Sequence, residues 1–134
     1  MHNLLPKVFC FIQEYEEDYI KRLPKNIGII YRNYNKNINK KEIIKIKNLC
    51  KKTNKKFFLS NNIKIALKLD LDGVYLPSFN KELKINYFIK KKKFKILGSA
   101  HNIKEIRQKE LQKVNCIFLS PIFMTDKSKN FLGI

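Results

Sequence analysis

"FFLSNNIKIALKLDLDGVYLP" (57–77) contains the strand–helix–strand step on which the fold of this chain turns. With Lys56 in front, its first part is the short run KFFLS (56–60), and its last is a second run, DGVYL (72–76). Both are almost continuously apolar, as strands covered on both faces are. Residues 61–69 between them carry a helical pattern, so the step reads as two parallel strands joined by a crossover helix.

The same alternation extends in both directions. KVFCFI (7–12), IGIIYR (27–32), FKILG (94–98) and NCIFLS (115–120) are further predicted strands. Two helices announce their starts: Asn39 and Asn102 each stand three residues before a glutamate, Glu42 and Glu105, the spacing of a reciprocal cap. Ile43, Ile46, Leu49 and Cys50 then share one face of the first, and Ile103, Ile106, Leu111 and Val114 trace a comparable stripe on the second. Further helices are predicted near 14–23 and 80–90, the former opening on Glu14, Glu16, Glu17 and Asp18, where the helix dipole favours negative charge. Strand and helix repeat about every 20 residues, which predicts an α/β fold with parallel strands. A doubly wound sheet and part of a (β/α)₈ barrel both fit that periodicity.

At 134 residues the chain is expected to form one domain. It has no apolar run of the roughly 20 residues a membrane span needs. Its start, broken by Pro6 and followed by acids, is unlike a signal peptide, so no membrane contact and a cytoplasmic location are expected. Cys10, Cys50 and Cys116 are odd in number and widely spaced, which predicts free thiols and no metal site. The net charge of +18 raises a basic nucleic-acid-binding module as one alternative. The excess is almost all lysine beside abundant Asn and Ile, a pattern that codon bias produces on solvated faces, and nucleic acid is therefore not the expected partner.

In either parallel architecture the working face lies at the carboxyl ends of the strands. Read in order, those ends give Arg32; Ser60, Asn61 and Asn62; Pro77 and Ser78; Ser99, Ala100 and His101; and the stretch from Thr125 to Lys129. Hydroxyls, amides and cations dominate and carboxylates are scarce, which suits an anion such as a phosphate.

At these positions the sequence resembles the thiamine phosphate synthase/TenI family of (β/α)₈ barrels. LGSAHNIKEI (97–106) is similar to the family's G-x-S-x-H-[ST]-x-x-E segment, and IFLSPIFMTDKSK (117–129) to its G-P-[IV]-[FY]-x-T-x-T-K loop. IIYRNY (29–34) and 57–77 match two further motifs more weakly. The resemblance implies an incomplete barrel of TIM type, about six β/α units, lacking the family's last two. The implied activity joins hydroxymethylpyrimidine diphosphate to thiazole phosphate, releasing diphosphate, with Mg²⁺ as cofactor. It assigns Arg32, Ser99 and Lys129 to the diphosphate, Thr125 and Ser128 to the thiazole phosphate, and Asn61 and His101 to the same substrate rim. No catalytic residue is assigned. The family's two metal carboxylates align with Asn61 and Asn80, neutral amides that predict weakened Mg²⁺ binding. Pro121 stands where the TenI branch has its proton-transferring His, and either Lys127 or Lys129 takes the loop's lysine position. A catalytically silent member binding a phosphorylated ligand or a protein partner is the other reading. An open arc of six strands further predicts self-association, or a partner that completes the barrel.

Overall fold

The computed structural model describes residues 5–35, 37–84 and 93–120. The chain divides into two compact units, Met1–Val74 and Tyr75–Ile134. Each is built from the alternation expected, and in sheet order the strands follow chain order.

The first unit contains β1 (Phe9–Ile12), α1 (Glu17–Arg22), β2 (Gly28–Tyr31), α2 (Lys40–Lys52), β3 (Lys56–Ser60) and α3 (Ile63–Lys68). β1 pairs parallel with β2, and β2 with β3, Ile30 facing Phe11 on one side and Phe58 on the other. All four residues of β2 are buried, as the apolar run requires, whereas β1 is only partly covered and Phe11 is exposed. Gly28 has a packing reason: a Cβ there would lie 2.4 Å from the Phe9 ring, which also meets the Phe58 ring edge-on at 5.7 Å. α2 buries Ile43, Ile46, Leu49 and Cys50, the stripe read from the sequence.

β4 (Gly73–Leu76) lies at the junction of the units and is buried throughout. Asp72, just before it, is used structurally. Its carboxylate accepts from Phe57 N at 2.8 Å while its own N–H donates to the Phe57 carbonyl at 3.0 Å. The second unit repeats the device, with Asn115 accepting from Ile96 N at 2.8 Å and donating to the Ile96 carbonyl at 2.7 Å. These bonds set the lower ends of β5 (Lys95–Ala100) and β6 (Cys116–Leu119), which pair parallel with Ser99 beside Phe118. β6 is partly covered, ending in an exposed Leu119.

Between β5 and β6 runs α4 (Ile103–Leu111), where the expected stripe holds only in part: Ile106 and Val114 are half-buried. Ile103 and Leu111 are 63% and 62% exposed, and the side chains that vanish from solvent are Lys109 and Gln112, each 0% exposed. The helix expected near 80–90 is also absent over 80–84, with the rest of that stretch outside the described residues. The two failures have one cause. The carbonyls of Asn80, Lys81 and Glu82, which a helix would need for its own N–H groups, accept side-chain donors from Gln108, Lys109 and Gln112 instead.

The caps hold, though not as reciprocal boxes. Asn39 accepts from Lys41 N and Glu42 N, and Asn102 from Glu105 N at 2.9 Å. Glu42 does not return to its own cap. Its carboxylate accepts from Tyr15 N at 3.0 Å and from the Tyr31 hydroxyl at 2.8 Å, which ties the ends of β1 and β2 to α2. Burial and this bond raise the Tyr31 phenol to about 12. Cys10, Cys50 and Cys116 are free; Cys50 is buried, which pushes its thiol up to about 12, and the others are half-buried.

Candidate functional site

The carboxyl ends of β2 and β3 lie side by side in the first unit, because the two strands pair in parallel register. Arg32 directly follows β2, its amide donating to the Ile12 carbonyl at 2.9 Å. Its guanidinium lies 3.9 Å above the centre of the Phe11 ring. A cation over a ring face is attracted to it, which restrains the Arg32 head beside the end of β2 while its N–H donors remain able to form a fork. Across from it, Ser60 closes β3 and its hydroxyl is 3.3 Å from the Tyr34 hydroxyl. Asn61 follows with φ at 69°, a left-handed conformation that Asn tolerates, and is exposed. Asn62 caps α3 by accepting from Ile65 N at 3.1 Å. The first unit thus brings Arg32 and Asn61 to one end of its strands, with Tyr34, which the sequence analysis did not single out.

In the second unit, Ser99 lies within β5, half-buried, and His101 follows the strand in the open. His101 is engaged: its amide donates to Glu105 Oε1 at 2.7 Å and its Nδ1 is 3.1 Å from the same oxygen. Glu105 therefore anchors the turn ahead of α4 rather than the N–H of Asn102. After β4, Pro77 is buried and Ser78 half-buried, and the segment continues into Asn80. Thr125, Ser128 and Lys129, with the loop that contains them, lie outside the described residues.

Asn80 decides how this face treats a divalent cation. Its Oδ1 accepts from Gln112 Nε2 at 3.1 Å and from Glu82 N at 3.0 Å, so the side chain is committed to its own segment and to the end of α4. Its carbonyl accepts from the Lys109 ammonium at 2.9 Å, which places a buried positive charge beside it. Mg²⁺ demands hard oxygen ligands, normally including carboxylates. Among the described residues there is no group of three or more His, Cys, Asp or Glu able to hold a metal. The described residues at these strand ends do not fit Mg²⁺; what they offer is cations, amides and hydroxyls.

The family model described as thiamine monophosphate synthase matches residues 22–131. The chain belongs to the thiamine monophosphate synthase family. Thiamine-phosphate synthase 1 of Streptococcus pneumoniae is 33% identical over 91 residues, covering 67% of this chain and 42% of that protein. Thiamine-phosphate synthase of Prochlorococcus marinus is 36% identical over 93 residues, covering 66% of this chain and 25% of its own length. This family member therefore spans less than half the length of either relative. A solved thiamine phosphate pyrophosphorylase from Pyrococcus furiosus superposes with a TM-score of 0.68 at 18% identity, covering 99% of this chain and 68% of that one. That likeness shows the fold, an incomplete α/β barrel of TIM type, and settles the choice that periodicity left open. Among the described residues no helix is long and apolar enough to cross a membrane.

Proposed function

We propose that the chain acts in thiamine biosynthesis as a thiamine phosphate synthase, joining hydroxymethylpyrimidine diphosphate to thiazole phosphate with release of diphosphate. The family match over residues 22–131 carries this reading. In such a reaction the difficulty is the negative charge that develops on the departing diphosphate, and preoriented donors lower that cost. Arg32, held by its stack on Phe11, is the diphosphate donor of the first unit, with Ser99 and Lys129 assigned the same group. Thr125 and Ser128 are assigned the thiazole phosphate, and Asn61 and His101 the rim around the substrates. Mg²⁺ is the family's cofactor, but the amides at positions 61 and 80 do not suit it. The chain, which exposes Phe11 and Leu119 on partly covered strands, is proposed to associate with a second copy or a partner.

The test is thermal unfolding with and without millimolar thiazole phosphate or diphosphate. A ligand at a hundred times its dissociation constant adds about 2.7 kcal/mol, several degrees in a domain of this size. An upward shift that Arg32→Ala abolishes is expected, followed by thiamine phosphate formation when both substrates are supplied. No shift with either anion would end the reading.

A further inference from the structure

The most unusual side chain in the described residues is Lys109. It is fully buried, yet the groups its ammonium bonds are neutral: the Asn80 carbonyl at 2.9 Å and Gln112 Oε1 at 2.8 Å. Burying a charge against neutral acceptors is costly, so lysines are almost never fully buried unless paired. The fold makes room for this one at a definite place. Gly98 in β5 lies under its stem, where a Cβ would come within 2.7 Å of Lys109 Cδ.

What the ammonium holds is equally specific. Three side chains from one end of α4 converge on three consecutive residues. Gln108 Nε2 donates to the Lys81 carbonyl at 3.2 Å. Gln112 Nε2 reaches the carbonyls of Asn80 and Glu82, each at 3.0 Å, and Asn80 Oδ1 at 3.1 Å. Within the segment, Asn80 N donates to the Pro77 carbonyl at 3.0 Å and Glu82 N to Asn80 Oδ1 at 3.0 Å. The segment begins four residues past the end of β4, on the strand end where the ligand rim is placed, and has no regular structure of its own. A site on irregular backbone is only as precise as the side chains that lock it.

We propose that Lys109, with Gln112, is a positioning residue that clasps Asn80–Glu82 and so sets the post-β4 part of the phosphate-ligand rim. The proposal rests on the functional reading above for its ligand, though not for the clasp itself. Lys109→Met keeps the stem that covers Gly98 and removes the ammonium. Amide hydrogen exchange at 80–84 is expected to speed by about tenfold or more while the β5 amides stay protected. At a temperature where both proteins are fully folded, affinity for thiazole phosphate or diphosphate is expected to fall several-fold. Lys104→Met, on the exposed side of the same helix, should change neither. Unchanged exchange at 80–84 overturns the clasp, and faster exchange with unchanged affinity overturns the positioning role. If Lys109→Met does not fold, Gln112→Met decides on the same two readouts, because it removes the three amide bonds to the segment. Failure of the unaltered protein to bind either ligand would instead sink the functional reading, and exchange at 80–84 would still decide for or against the clasp.

Discussion

α2 and α4 begin alike and end differently. Each starts at an asparagine whose side chain accepts the first free amides, and each packs on the sheet of its own unit. α2 then buries Ile43, Ile46, Leu49 and Cys50, an ordinary apolar stripe. α4 leaves Ile103 and Leu111 in solvent and buries an ammonium and an amide. The difference shows what the neighbour asks of a helix. α2 packs against β3, whose Phe57, Phe58 and Leu59 are all buried, and burial of apolar area is enough. Near its carboxyl end α4 meets a segment whose backbone carbonyls accept side-chain donors from the helix, and apolar side chains cannot make those bonds.

The contrast breaks most sharply under truncation. Ile46→Ala, at a fully buried position of α2, is expected to cost about 3 kcal/mol in urea unfolding, whereas Leu111→Ala should stay within about 0.5 kcal/mol. Comparable losses at the two sites would mean that α4 has an apolar contact face after all. Next in size is Gly98→Ala. Its methyl group would collide with the anchored Lys109 stem, and overpacking of this kind costs about 1–3 kcal/mol. Combining it with Lys109→Ala should recover part of the loss, because the two residues share one space.

The shared start of the two helices gives a smaller and matched effect. Asn39→Ala and Asn102→Ala should each cost about 1 kcal/mol. A marked inequality between them would show that Glu42 or Glu105 substitutes for the cap in one helix. The smallest effect is a pair of opposed pH slopes. Burial lowers the Lys109 value below the ordinary 10.5, so between the two the unfolded chain holds the proton and stability rises with pH. Lys109→Met should lack that rise. Burial and the bond to Glu42 raise Tyr31 from 10.0 to about 12, so its contribution is complete below about pH 10 and is lost as pH climbs towards 12. Tyr31→Phe should flatten that decline.

Several features were legible in the residues because they are local. β-branched and aromatic runs gave the six strands to within a residue or two, and of the strand phenylalanines Phe57, Phe58 and Phe94 are buried in the core while Phe118 is half-buried. Arg32 was identifiable as a strand-closing cation, and Asn61 as a polar residue at the end of a strand. Its left-handed backbone and the stack of Arg32 on Phe11 were not legible, since one depends on turn geometry and the other on a residue about 20 positions away. Glu42 was read as a cap partner by spacing. It bonds Tyr15 and Tyr31 instead, and no local pattern announces partners 27 and 11 residues away.

The sequence by itself determined the strand–helix alternation, the two asparagine caps, the α2 face and the set of polar residues at the strand ends. Each of these follows from interactions within a few residues, and periodicity records them. Only the tertiary structure decided that residues 80–84 would not be helical and that Lys109 and Gln112 would be buried. A helix and a captured segment compete for the same carbonyls, and the donors that win are about 30 residues away in the chain.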